Sequence, residues 1–284
     1  MLRLRCLTQN DLPFADSLRA LEGWNQTIHD WERFLEMEPA GCFLAEWQGV
    51  PAGTATTIVY GAELAWIGMV LVHPQFRRNG IGRALLRRCI EYLQSRGVRC
   101  IKLDATPAGK VVYEGLGFRE EWTLTRWERG RDAGQAAPSA EGIRDWHEAD
   151  LPAVDQLDAG AFGISRRKLI QALAAKCHRA LVAESETGTI VGHGCLREGS
   201  RALYLGPVVA ETADRALRLI GALLQHHGSR TIFWDIPDRH RALASWAEEN
   251  GFAVKRSLTR MFLGENCASD SPEKVFAIAG PEIG

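Results

Sequence analysis

Residues 70–83 read Val-Leu-Val-His-Pro-Gln-Phe-Arg-Arg-Asn-Gly-Ile-Gly-Arg. An apolar run enters a loop that carries Gly80 and Gly82 and opens directly into an amphipathic segment. In that segment Leu85, Leu86, Cys89, Ile90 and Leu93 fall on one side, and Arg83, Arg87, Arg88, Glu91 and Gln94 on the other. The pattern is that of an anion cradle. Glycines let backbone approach a ligand closely. The unpaired N–H groups of a first helical turn, reinforced by the helix dipole, favour negative charge. Arg77, Arg78 and Arg83 add positive charge suited to phosphate. Three other readings compete. A dinucleotide fingerprint needs a small residue where Leu85 stands. A Walker-type loop needs Gly-x4-Gly-Lys-Ser/Thr, and Gly109-Lys110 is followed by Val111. A bare strand-to-helix turn would bind nothing.

A second landmark lies about 30 residues on: Tyr113-Glu114-x-x-Gly117-Phe118. Val-x-Pro-x-Phe-Arg-Arg-x-Gly-Ile-Gly-Arg followed by this landmark resembles the acetyl-CoA signature of the GNAT acetyltransferase superfamily. The whole layout, with the closing run Phe276 to Gly284, is similar to tandem GNAT proteins with a YitH-like C-terminal domain. That resemblance implies transfer of an acetyl group from acetyl-CoA, as co-substrate, to the primary amine of a small molecule or amino acid by direct attack in a ternary complex. It implies that the backbone of Val70, Leu71 and Val72 holds the pantetheine arm and thioester carbonyl. It implies that Arg78, Asn79, Gly80, Ile81, Gly82 and Arg83 hold the pyrophosphate. Tyr113 stands where the family keeps its catalytic tyrosine, the proton donor to the leaving thiolate; the bland alternative is a ring packing the cleft. Asp104 matches a position where some members carry a catalytic carboxylate, although Asp235 occupies the same strand end in the second half of the chain. Glu63, entering the central strand, is the other candidate base. The amide of Leu71 or Val72 is the expected oxyanion donor. Trp24 and Asn25, with Trp31, fall in the region that overlies the acceptor in the family. His73 reads as a surface loop residue. No metal is implied.

These residues need elements to hold them. The patterning predicts strands over 2–7, 42–47, 52–60, 64–72, 99–105 and 121–128. It predicts one or two helices between Asp11 and Met37, a helix over 82–96 and a short helix over 110–116. Asp11 and Pro13 suit a helix start.

The chain then repeats itself. Arg5, Asp11, Leu12 and Pro13 recur as Arg144, Asp150, Leu151 and Pro152. Gly68 answers to Gly206, Ala84-Leu85-Leu86 to Ala222-Leu223-Leu224, and Leu124-Thr125-Arg126 to Leu258-Thr259-Arg260. The offset stays near 134–139 residues throughout, as tandem copies require. The expected organisation is an acetyl-CoA-binding GNAT domain over 1–128, a Gly- and Ala-rich linker over 129–140 and a degenerate GNAT-like domain over 141–284. The fold class is α/β in layers, each domain a mixed, mostly antiparallel twisted sheet flanked by helices. In the second copy Arg218 and Ile220 stand where the glycines should be and Asp214 adds negative charge, so this copy is not expected to bind CoA. The bland reading of Phe162 to Arg167 is a solvated helix start.

Bulk properties narrow the class. The 284 residues, 46% hydrophobic and 24% charged, suit two soluble domains. A net charge of −1 argues against a nucleic-acid partner. Seven scattered cysteines without Cys-x-x-Cys suit reduced thiols, hence a cytoplasmic protein. The first residues lack the apolar core of a signal peptide, and no apolar run is long enough to span a bilayer. A homodimer is compatible with all of this. The rival readings are a CoA-binding sensor without turnover and an interaction protein that binds no CoA.

Overall fold

Apolar strands that alternate with amphipathic helices must bury one face of each, and the chain does so twice. The computed structural model describes residues 1–131, 141–267 and 271–284. Residues 132–140, most of the expected linker, lie outside the described residues. The chain divides into two compact units. Unit 1 holds Met1–Glu121, Arg260–Cys267 and Pro281–Gly284; unit 2 holds Trp122–Thr259 and Ala268–Gly280.

In unit 1, β1 (Leu2–Cys6) pairs antiparallel with β2 (Phe43–Trp47), β2 with β3 (Val50–Tyr60), and β3 with β4 (Leu64–Val72). β4 then pairs parallel with β5 (Cys100–Ala105), and the C-terminal part of β12 (Phe252–Gly264) lies beside β5. The helices are α1 (Leu12–Leu21), α2 (Ile28–Met37), α3 (Ile81–Ser95) and α4 (Pro107–Glu114). α3 buries Ile81, Leu85, Leu86, Cys89 and Leu93 against Phe43, Ala65, Ile67 and Ile101. Each such leucine contributes roughly 1.5–3 kcal/mol. The predicted elements match these within a few residues. The short helix differs most: it begins at Pro107, because the Thr106 hydroxyl accepts from the Gly109 amide at 3.2 Å and caps it.

Unit 2 repeats the plan. It contains β6 (Arg119–Arg129) from Trp122 onward, β7 (Ile143–Asp145), β8 (Arg179–Glu184), β9 (Ile190–Arg197), β10 (Leu203–Ala210), β11 (Ile232–Pro237) and β13 (Val275–Ala277). The helices are α5 (Leu151–Phe162), α6 (Arg167–Lys176), α7 (Ala213–Leu224) and α8 (Arg241–Glu249). Arg144 and Asp150 form the ion pair that Arg5 and Asp11 form in unit 1, at the same 2.7 Å. Among the described residues no helix is long and apolar enough to cross a membrane.

The expected boundaries, 1–128 and 141–284, follow the sequence repeat, whereas the compact units cut across it. Each copy ends in a long strand whose second part completes the other unit. Trp122–Arg129 of β6 pairs antiparallel with β11, and Arg260–Gly264 of β12 belongs with unit 1. Each exchanged strand is fixed by a buried arginine fork. Arg126 donates to Asp235 through Nε (2.8 Å) and Nη2 (2.6 Å), and Arg260 donates to Asp104 at 2.9 Å twice. Both carboxylates are fully buried. Each arginine also lies over an aromatic ring, Arg126 over Tyr204 and Arg260 over Trp66.

Removing one partner of such a pair leaves a buried charge alone. Arg126→Ala is expected to cost about 3–5 kcal/mol in urea unfolding, and the double variant Arg126→Leu/Asp235→Leu much less. A single-variant cost below about 1 kcal/mol would show the fork to be incidental to the fold.

Candidate active site

β4 and β5 run side by side only briefly. Leu64, Ala65 and Trp66 are in register with Cys100, Ile101 and Lys102, and the ladder ends there. At that point β4 bulges. The β3–β4 register shifts between Thr54 and Thr56, and Met69 takes φ +48°. The Thr54 hydroxyl donates to the Met69 carbonyl at 3.0 Å and fixes the bulge. Leu71 and Val72 then resume pairing with Thr54 and Gly53. Their other edge faces the opening gap between β4 and β5, so Val70, Leu71 and Val72 offer backbone groups to whatever enters it.

The loop after β4 completes the cradle. Pro74–Phe76 form a 3-10 turn, Arg78 and Gly80 take φ +65° and +75°, and α3 starts at Ile81 with no side-chain cap. Among the described residues the amides of Arg78 to Arg83 donate to no protein acceptor; the first helical bond is Ala84 N–H to the Gly80 carbonyl. A Cβ on Gly80 would meet nothing within 4 Å, and one on Gly82 would meet only Val72 Cγ2 at 3.6 Å. Packing therefore does not require glycine at position 82, and an open approach to the amides does. The charged side chains divide their duties. Arg77 pairs with Glu22 and donates to the Val72 carbonyl, and Arg83 donates to the Gly115 carbonyl. Asn79 folds back onto the Phe76 and Arg77 carbonyls. These three brace the loop through their side chains. Arg78 is exposed and has no protein partner among the described residues, which leaves it as the available cation.

Tyr113 stands on α4, its ring 6.1 Å from that of Phe118 and packed against Gly109. Its hydroxyl has no protein hydrogen-bond partner among the described residues, and burial pushes its pKa up to about 12. Tyr113 is thus held as a neutral phenol, the form that can donate a proton.

The two predicted base candidates do not stand as free bases. Asp104 has both oxygens engaged by the Arg260 fork. Glu63 lies in the turn before β4, half exposed and paired with Arg99. The length of β4, roughly 3.3 Å per residue, places it about 25 Å from the bulged end. Trp24 and Asn25 lie in the 22–27 connection between α1 and α2, Trp24 half-buried and Asn25 buried. Trp31 is core. Two features escaped sequence reading. One is Thr54, whose only signal was a threonine-rich strand. The other is the tail Pro281–Gly284, which lies on β4: Trp66 Nε1 donates to the Pro281 carbonyl at 2.9 Å, and Tyr60 Oη to that of Ile283 at 2.8 Å.

In unit 2 the equivalent gap is closed from within. β10 and β11 are in register over Leu203–Leu205 and Ile232–Trp234, but Val208 and Val209 then pair with β13. Trp234 Nε1 donates to the Phe276 carbonyl, and Ile278 N–H reaches the Asp235 carbonyl. α7 is capped by its own Thr212, whose hydroxyl accepts from the Arg215 amide, and Asp214 sits in its first turn. The chain itself fills the strand gap and the helix terminus that unit 1 leaves open.

Comparison with known proteins matches both halves of the chain to one family. The family model described as the acetyltransferase (GNAT) family matches residues 11–118, and one described as an acetyltransferase (GNAT) domain matches residues 154–277. The N-acetyltransferase YitH of Bacillus subtilis, itself uncharacterised, is 28% identical over 191 residues, which span 67% of this chain and 66% of YitH. Holothin acyltransferase of a Pseudoalteromonas species is 24% identical over 268 residues, 93% of this chain and 88% of that protein. The crystal structure of a putative acetyltransferase from Pyrococcus horikoshii superposes with a TM-score of 0.85 at 25% identity, covering 100% of this chain and 96% of that one. With both halves matched, the chain belongs to the GNAT acetyltransferase family, as an acyltransferase built of two GNAT domains in tandem.

Proposed function

We propose that unit 1 transfers the acetyl group of acetyl-CoA to the primary amine of a small acceptor and that unit 2 binds no CoA. The observation that carries this reading is the uncapped, glycine-opened start of α3 at the end of a strand that has parted from its neighbour. Family membership and the acyltransferase relatives support it. GNAT acetyltransferases use acetyl-CoA as co-substrate, which supplies the activated acetyl group. The residues present fit it. A helix N-terminus with unsatisfied amides suits a pyrophosphate, and Arg78 adds charge. The edge of Val70–Val72 that faces away from β3, its Val72 carbonyl already held by Arg77, suits an amide-bearing arm laid into the gap. The amide of Leu71 or Val72 would hold the oxyanion that develops as the amine attacks. As the C–N bond forms and the C–S bond breaks, Tyr113 gives the departing sulfur its proton and recovers one from the product nitrogen through solvent.

Calorimetric titration with acetyl-CoA is expected to show one site per chain; two sites would mean that unit 2 also binds. Gly80→Glu places a carboxylate in the cradle and is expected to abolish binding, so an unchanged affinity would remove the site assignment. Tyr113→Phe is expected to lower kcat by roughly 10²–10⁴, the usual worth of a general acid. An acid must hold its proton, and a pKa raised to about 12 keeps Tyr113 protonated across the neutral and mildly basic range. Wild-type kcat should therefore show no decline due to this group below about pH 11. A fall near the ordinary tyrosine value of about 10 would show instead that burial does not raise the pKa of this group.

A further inference from the structure

The closing residues of the chain bring a carboxylate to unit 1 that the mechanism above does not use. Glu282 is 5% exposed. It lies directly on Gly68, the residue before the bulge: a Cβ on Gly68 would come within 2.5 Å of the Glu282 carbonyl oxygen and 3.0 Å of its Cα and Cβ. The tail is held on both sides of it, by Trp66 at Pro281 and by Tyr60 at Ile283. Three neighbouring contacts therefore fix one glutamate over the strand whose next residues face the open gap.

The face is the one away from α3. Ala65 and Ile67 pack under α3, and side chains alternate along a strand, so Trp66 and Gly68 present the other face. There Gln26, from the 22–27 connection, donates its Nε2 to Glu282 Oε2 at 2.6 Å. That bond sets the amide's orientation, since the reverse would oppose two oxygens. Gln26 Oε1 is consequently an acceptor, buried and without a protein hydrogen-bond partner. Thr56 is in register with Gly68 and shares its face; it is fully buried and its hydroxyl also lacks a protein partner. Gln26 Oε1 and the Thr56 hydroxyl are thus two buried polar groups without a protein partner, one on the residue bonded to Glu282 and one in register with Gly68, and buried groups of this kind require donors. An ammonium offers three N–H donors and a charge that offsets the carboxylate. The 22–27 connection that carries Gln26 joins α1 to α2, the two helices that pack on β3 and β4.

The second copy provides the contrast. Gly206 answers to Gly68, and the tail crosses it just as closely, a Cβ there falling 2.2 Å from a tail carbonyl oxygen. The residue at that crossing is Ile278. One tail thus sets an aliphatic residue on the unit whose gap is filled and a carboxylate on the unit whose gap is open.

We propose that Glu282 selects the acceptor: its carboxylate, with Gln26 Oε1 and the Thr56 hydroxyl, receives the ammonium group of a cationic amine beside the parted end of β4, and the amine gives its extra proton to solvent before it attacks the thioester as the neutral species. This rests on the reading of unit 1 as the acyl-transferring domain. The test uses the full chain with saturating acetyl-CoA and five acceptors, namely 2-phenylethylamine, tryptamine, L-lysine, spermidine and glucosamine, scored by thiol release. For the best of them, Glu282→Gln is expected to raise KM about 10- to 100-fold, the worth of a charge-assisted hydrogen bond. The kcat should stay within about threefold and the acetyl-CoA Kd within about twofold, because neither depends on the lost charge. Tyr60→Phe leaves Glu282 intact but frees one end of the tail, and should give a smaller rise in KM. A Glu282→Gln enzyme whose KM stays within about twofold while its melting temperature falls would overturn the proposal and reduce Glu282 to a tail anchor. A wild-type protein that binds acetyl-CoA but releases thiol with none of the five amines would overturn it too, leaving the acetyl-CoA site intact. Absence of acetyl-CoA binding would instead overturn the underlying reading of unit 1.

Discussion

Two parallel strands that pair for three residues and then separate set the terms for everything else in this chain. A strand edge with unpaired amides and carbonyls must find partners. In unit 1 the bulge at Met69, held by Thr54, turns the end of β4 away from β5 and leaves that edge facing a gap. The start of α3 opens at the end of the same strand, with glycines where a capping side chain would otherwise sit. In unit 2 the same separation after Leu205 is met by β13, and the helix start by Thr212. One backbone geometry leaves an open gap or a filled core, depending on what the chain supplies to satisfy it.

Charge placement follows the same division. Of the three arginines around the cradle, Arg77 and Arg83 spend their donors on Glu22, Val72 and Gly115, which fixes the loop so that its amides point consistently. Arg78, in a left-handed conformation, is left to face solvent. A braced loop in which, among the described residues, Arg78 is left without a partner suits an anion better than three unbraced cations would, because fewer rotamers must be ordered on binding.

What the sequence made legible was local. The cradle could be read because glycine spacing and a helical stripe lie within one short segment, and Tyr113 because its landmark is contiguous. The strands of unit 1 and the repeat were readable for the same reason. Asp104 was misjudged because its partner, Arg260, is 156 residues away and belongs to the other copy's last strand. Its counterpart Asp235 pointed to a structural role, and the Arg126 fork shows what that role is. Glu63 was misplaced because adjacency to a central strand does not say which end of it matters. β13 spans three residues, too few for a period to show, and the tail's hold on Gly68 depends on Trp66 and Tyr60, more than 200 positions upstream.

The exchanged strands also bear on how the protein is made. Residues 1–121 hold most of unit 1, including the whole cradle, yet the strand beside β5 and the residues lying on β4 come from 260–267 and 281–284. A ribosome delivers those segments well after residues 1–121. The N-terminal copy therefore waits, with one edge of its sheet open, until they emerge, and an open edge is where strands of other chains can add. Contacts of such long sequence separation close slowly. A gene cut between the copies would yield two fragments, each missing the strand that finishes it.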